Sequence, residues 1–353
     1  GRSASGANLV SNIASARANL KLIVLSQLYF KPLAEIFMQT NAQFITENQT
    51  IRSFDAEAAQ AYQQIPAEAF QQGFAYEPIS AVLRSADAEA QKMQQGLPFL
   101  QAAELGLLQP YRPDYLNQLS AWSVRQYALS SNMVGGFYTS AIGFGWNTEL
   151  LKKKHLPAPQ CWSDLIKPAY LREIEISHPA SSGTAYTILA GLVQLMGEDA
   201  AFDYLKALHP NISQYTRSGV APIKAVARGE AAISISFVHD GPGEKLNGFP
   251  VETLTPSDGT GAEIGSMSLI KGARNLEAAK QFYEWALTPS AQELAPASKQ
   301  FQLPSNPAAR LDPNVPDFRK IKFISYDYAK YGSSQERKRL IGRWEREVNS
   351  LPR

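Results

Sequence analysis

Cysteine occurs once in the 353-residue chain, at Cys161. That excludes an intrachain disulfide and any cysteine-rich zinc site, while leaving the compartment open. Long apolar runs are missing too: the longest, residues 20–30, is interrupted by Lys21, Ser26 and Gln27 and is far too short to span a bilayer. Neither charge dominates, because 34 Lys and Arg against 32 Asp and Glu leave a formal net charge of +2. Nucleic acid is therefore not expected as a partner. The chain has no Walker loop, no G-x-S-x-G elbow and no H-E-x-x-H pair, so the usual local signatures of nucleotide, ester and zinc-assisted peptide hydrolysis are absent. There is no internal repeat and no long low-complexity linker.

The remaining composition, 44% hydrophobic and 19% charged, is that of a globular protein. A chain of this length exceeds one ordinary core, so two lobes are expected. Residues 1–6, Gly-Arg-Ser-Ala-Ser-Gly, lack a starting Met and read as a processed end or an added remnant, compatible with a removed signal peptide.

The most informative stretch is residues 231–243, AAISISFVHDGPG. Ile233, Ile235 and Phe237 alternate with Ser234 and Ser236, which is strand periodicity, and Gly241-Pro242-Gly243 predicts a turn. His239 and Asp240 are thus left at the end of a buried strand. In open α/β sheets that is where ligands bind; taken alone, however, the pair is better explained by Asp240 capping the next helix and His239 bonded to a carbonyl, and only its company changes that.

Earlier in the chain, residues 22–25 predict a first strand ending on Ser26, residues 28–39 a helix, and residues 102–108 a short helix, whereas residues 48–101 are Ala-, Gln- and Glu-rich with a helical default. Residues 141–147 form a strand with glycines where backbones approach closely, followed by a helix capped by Thr148. Residues 174–176 form a buried strand ending on His178-Pro179. Next come Ser181, Ser182, Gly183 and Thr184, opening a helix that runs to Met196. Strand, Ser-Ser-Gly-Thr, helix is either an anion site of free amides and hydroxyls at a positive dipole end or an ordinary N-cap. A second polar turn, with Ser218 and Gly219, follows a strand at residues 212–215. Glu263 sits among small residues beside Ile264-Gly265, an unlikely place for surface decoration. The basic, aromatic-bearing residues 319–348 read as an amphipathic helical tail.

Together, Gly143-Phe144-Gly145-x-Asn147-Thr148, Leu156-Pro157-x-Pro159-x-Cys161-Trp162-x-Asp164-Leu165 and Ser181-Ser182-Gly183-Thr184-Ala185-Tyr186 resemble the ferric-binding-like periplasmic solute-binding proteins of ABC importers. Tyr215-Thr216-Arg217-Ser218-Gly219, Ala227-Arg228-Gly229-Glu230, His239-Asp240, Gly259-Thr260-Gly261-x-Glu263-Ile264-Gly265 and Tyr326-Asp327-Tyr328-Ala329-Lys330-Tyr331-Gly332 resemble its hexose-phosphate-binding branch. The match spans residues 105–348. It implies an α/β, two-lobe (type II) periplasmic binding protein with crossover strands: residues 20–138 and 255–318 as the first lobe, 139–254 as the second, and 319–353 as a helical tail packed on them.

The resemblance further implies a non-enzymatic monomer in the periplasm, without cofactor or metal, that passes a phosphorylated ligand to a membrane permease. His239, Asp240 and Glu263 match the residues that hold sugar hydroxyls, and Ser181, Ser182, Gly183, Thr184, Ser218 and Gly219 match the turns that face phosphate. Ser26, just past the first strand, is a weaker candidate because the resemblance is poor there, and residues 48–100 depart from the expected first-lobe pattern. Three alternatives stay open. Ferric iron would need the adjacent tyrosines those binders use, and no Tyr-Tyr pair occurs. Hydrolysis would use His239, Asp240 and Glu263 as acid and base. A sensor would report the same ligand to a membrane histidine kinase.

Overall fold

The computed structural model describes residues 22–24, 99–273 and 276–352. The expected helix at 28–39, residues 48–98 and Ser26 lie outside them. The contacts divide the chain into two compact units, residues 1–135 with 266–295 and residues 136–265 with 296–353. Residues 255–265 and 296–318 belong to the second unit by these contacts. None of the described helices is long and apolar enough to cross a membrane.

In chain order the elements are β1 (Leu22–Val24), α1 (Phe99–Glu104), β2 (Leu108–Gln109), α2 (Ala121–Leu129), β3 (Gly135–Asn147) and α3 (Thr148–Lys154). There follow β4 (Ile174–Ser177), α4 (Gly183–Met196), α5 (Glu198–Leu208), β5 (Ile212–Thr216), α6 (Ala221–Ala227), β6 (Ile233–Phe237), α7 (Asp240–Leu246) and β7 (Val251–Leu254). The last are β8 (Ala262–Ile270), α8 (Leu276–Ala286), α9 (Pro289–Gln292), β9 (Leu303–Pro304), α10 (Tyr328–Tyr331) and α11 (Ser334–Trp344).

In the first unit β8 pairs antiparallel with β1, Leu22 opposite Leu269, and with β2, Leu108 opposite Ile270. Ala102, Leu107, Leu108 and Val134 form a small core there. A helix over 102–108 was expected. Instead α1 ends at Glu104 and Gly106, in the left-handed region at φ 67°, turns the chain into β2.

The second unit is built on a sheet in which β4 runs parallel to both β5 and β6, and β6 runs antiparallel to β3, whose other edge takes β7. Strands β4 and β6 are buried along their whole length, so the polar residues that alternate with their isoleucines, Glu175, Ser177, Ser234 and Ser236, are buried too. At Gly143 a side chain would collide with the Leu254 carbonyl oxygen and Val238, so glycine is what lets β7 lie against β3. Helix α4 buries Ile188, Leu189, Leu192 and Val193 in this core. Each such side chain contributes about 1.5–3 kcal/mol.

Two local expectations are corrected. The cap of α3 is Asn147, whose Oδ1 accepts from the Leu150 amide at 2.9 Å while its Nδ2 donates to the Val226 carbonyl at 3.0 Å; Thr148 is the first helical residue. Gly241-Pro242-Gly243 is not a turn but the first turn of α7, where a missing N–H costs nothing. The tail is helical at α10 and α11. It packs through Leu340, Trp344 and Val348 and is tied to α5 by Arg343, which pairs with Glu198 and Asp199 at 2.8 and 2.9 Å.

Candidate ligand-binding site

Three neighbouring parallel strands of the second unit, β5, β4 and β6, end on the same side, and each is followed by a segment singled out in the sequence. Register makes this concrete: Ser177 of β4 lies opposite Thr216 of β5, and Ile176 opposite Ile235 of β6.

Beyond β4 the backbone folds tightly. The Ser181 and Ser182 amides both donate to the His178 carbonyl, at 3.1 and 3.0 Å, and the Ala180 amide donates to His178 Nδ1 at 3.2 Å. Ser182 is the N-cap of α4, its Oγ accepting from the Ala185 amide at 3.3 Å. A capping hydroxyl keeps its own proton to donate, so the cap and the anion turn are not exclusive. The Gly183 and Thr184 amides have no acceptor among the described residues.

Beyond β5, Thr216 Oγ1 donates to the Ser218 carbonyl at 3.0 Å, and Ser181 Oγ donates to the Arg217 carbonyl at 3.3 Å, which joins the two turns. Gly219 is pressed against α4: a Cβ there would lie 2.7 Å from Thr184 Cβ and 3.2 Å from Ser182 Oγ, with Thr184 Oγ1 nearer still.

Beyond β6, His239 is 6% exposed; its Nε2 is 3.2 Å from Asp240 Oδ1 and its ring stacks on Phe237 with centroids 5.3 Å apart. His239 Nδ1 is buried with no partner among the described residues. Such an atom costs free energy unless something else completes it.

Glu263 stands on β8, its carbonyl accepting from Thr139 Oγ1 at 2.8 Å. Its Oε1 lies 3.8 Å from where a Gly183 Cβ would be, so this carboxylate faces the start of α4. Burial pushes the Glu263 carboxyl above its ordinary value, and the charges of His239 and Arg337 oppose that shift.

The second unit therefore brings together every described candidate. Ser26 alone lies outside the described residues. Sequence reasoning missed Arg337, placed in a solvated tail. The signal was available: Arg337, Leu340, Ile341 and Trp344 are spaced as one helical face, and a guanidinium on an otherwise apolar face is unusual. The Arg337 guanidinium lies over the Tyr186 ring, and Tyr326, Tyr328 and Tyr331 form an aromatic cluster in the same tail. The Tyr186 hydroxyl donates to the Tyr331 carbonyl at 2.7 Å and that of Tyr328 to the Ala262 carbonyl at 3.0 Å.

The model of the bacterial extracellular solute-binding proteins matches residues 95–331. The chain belongs to this family. Among solved members, the periplasmic binding protein AfuA of Actinobacillus pleuropneumoniae, with exogenous fructose-6-phosphate bound, is 42% identical, with a TM-score of 0.70 over 79% of this chain and 88% of that one. The periplasmic binding protein P5PA is 41% identical, with a TM-score of 0.67 over 71% of this chain and 80% of that one. An uncharacterized protein of Haemophilus influenzae is 46% identical over 253 residues, 71% of this chain and 73% of the relative. The ferric-binding-like resemblance and the α/β periplasmic-binding-protein fold read from the motifs are those of these relatives.

Proposed function

We propose that this family member captures a hexose phosphate in the periplasm and delivers it to the permease of an ABC importer. The observation that carries the reading is the convergence at three adjacent strand ends: the unpaired Gly183 and Thr184 amides with the hydroxyls of Ser182, Thr184 and Ser218 on one side, His239 and Asp240 on the other, and Glu263 of β8 facing the same helix start. Amides and hydroxyls at a helix start suit a phosphate dianion, and carboxylates with an imidazole suit vicinal hydroxyls. The bound sugar phosphate of AfuA, on a chain 42% identical to this one, supports the same ligand class.

Nothing in this arrangement has to move a covalent bond. Ser181 and Ser182 are engaged with backbone, and their hydroxyls have no adjacent general base within hydrogen-bond reach among the described residues.

Calorimetry with fructose-6-phosphate, glucose-6-phosphate, free fructose and inorganic phosphate tests the proposal, with released phosphate followed in parallel. The expected result is tight, saturable binding of one of the sugar phosphates, much weaker binding of the two fragments, and no turnover. Failure of all phosphorylated sugars to bind would refute it, as would steady phosphate release.

A further inference from the structure

We infer that Arg337, on α11, is the cation of the proposed phosphate pocket and sets the preference for anionic over neutral ligands. This deepens the proposed function and rests on its placement of phosphate at the start of α4.

Arg337 holds its guanidinium 4.5 Å from the centre of the Tyr186 ring. Tyr186 belongs to the first turn of α4, the turn that carries Gly183, Thr184 and the Ser182 cap. Glu263 reaches the same turn from β8. A cation therefore sits beside the positive end of a 14-residue helix, where the dipole repels it.

The usual compensation is missing. Among the described residues the Arg337 guanidinium makes no hydrogen bond and no ion pair, whereas those of its helix neighbours Arg339 and Arg343 are both held by carboxylates. Glu263 acts on Arg337 through its charge without closing to ion-pair distance. Burial works against the guanidinium's charge there, and only Glu263, Tyr186 and Tyr326 support it. Half-buried, with five N–H donors unused and a cation–π contact fixing its plane, Arg337 is what a bidentate anion contact requires. Among the described residues Arg337 is the one Arg or Lys whose charge acts on Glu263.

The test is calorimetry on wild type, Arg337→Gln, Arg337→Met and Arg337→Lys, with fructose-6-phosphate and with inorganic phosphate, at low and high salt. Arg337→Met keeps the apolar stem over Tyr186, so it guards against a variant that merely unfolds, which circular dichroism would show. The uncharged variants are expected to lose roughly ten- to a hundredfold in affinity for the phosphorylated ligand, Arg337→Lys clearly less, and the salt dependence should shrink with the lost charge. Unchanged affinity in both uncharged variants, with wild type binding fructose-6-phosphate, overturns the role of Arg337 and leaves the proposed function standing. Wild type that binds inorganic phosphate through Arg337 but no sugar phosphate would do the reverse. Wild type that binds neither overturns both.

Discussion

Gly219→Ala is the sharpest perturbation of the site, because the cost is set by atoms that cannot rotate away. Gly219 does not have a positive φ, so alanine is conformationally admissible. The new methyl group, however, would lie 2.7 Å from Thr184 Cβ and 3.2 Å from Ser182 Oγ. A hydroxyl can swing to another rotamer, but Cβ is fixed to the backbone, so the 216–219 turn and α4 must separate by roughly an ångström to restore ordinary contact. Overpacking of this kind costs about 1–3 kcal/mol, and the turn's exposed side should keep the stability loss near the lower figure. Binding should suffer more. Shifting the Ser218–Gly219 turn and the Thr184 hydroxyl by that distance undoes their convergence, and an affinity loss of tenfold or more for fructose-6-phosphate is expected. Urea denaturation and calorimetry on the same preparation give both numbers. Thr184→Ala added to Gly219→Ala should not relieve the strain, because Cβ remains, whereas Thr184→Gly should restore stability without restoring affinity. Unchanged stability and affinity in Gly219→Ala would refute the packing of this turn on α4.

Asp240→Ala should cost more for fructose-6-phosphate than for inorganic phosphate, since sugar hydroxyls are left unpaired, and equal losses in calorimetry would assign Asp240 to the start of α7 instead. Asn147→Ala removes the α3 cap and orphans the Val226 carbonyl, so urea denaturation should show a loss of roughly 1–3 kcal/mol with ligand affinity intact. Glu198 is held down at about 2 by hydrogen bonds to Arg339 and Arg343. Its contribution is present above the ordinary carboxylate range and lost as pH falls toward 2, so Arg339→Ala/Arg343→Ala should flatten the acid limb of a stability–pH curve between roughly 4.5 and 2. Glu263 has the opposite sign. Its raised value means stability present at low pH and lost as pH rises, so Glu263→Gln should be at least as stable as wild type at pH 8, by urea denaturation, while binding the sugar phosphate less well.

The strands were legible because their apolar residues recur at every second position: Ile174 and Ile176, then Ile233, Ile235 and Phe237, mark β4 and β6, and the polar residues after them stood out by contrast, whereas the burial of the intervening Glu175, Ser177, Ser234 and Ser236 was not legible from that alternation. Capping was legible only in type. Asn147 and Thr148 are both good N-caps, and the choice is made by the carbonyl of Val226, 79 residues away, which no local pattern contains. Gly241-Pro242-Gly243 carries turn chemistry, yet proline and glycine are also admissible in the first turn of a helix, and α7 starts there. The return of residues 296–318 to the second unit rests on long-range pairings such as Pro304 with Tyr138, which periodicity does not encode. Arg337 was hidden for the same reason. Its helix reads as basic and solvated until the face bearing Leu340 and Trp344 is seen to be buried.

On the proposed reading the site faces an electrostatic problem that explains its composition. Asp240 and Glu263 suit sugar hydroxyls, but both oppose a phosphate dianion bound at the start of α4. At an effective dielectric of ~20 and a separation of ~6 Å, each pair of unit charges repels by roughly 3 kcal/mol, enough to cancel a good charged hydrogen bond. Two features of the fold relieve this. Burial weakens the tendency of Glu263 to carry its charge, and Arg337 supplies a compensating charge beside the same turn. Free phosphate gains from Arg337 and α4 but has nothing to offer Asp240 and His239. A neutral hexose has the opposite deficiency. Only a ligand carrying both groups uses the whole set, so discrimination comes from leaving one half unpaired in every fragment. Fragment affinities that multiply to the whole-ligand value within an effective molar concentration would support this division, and a fragment that binds as tightly as the sugar phosphate would break it.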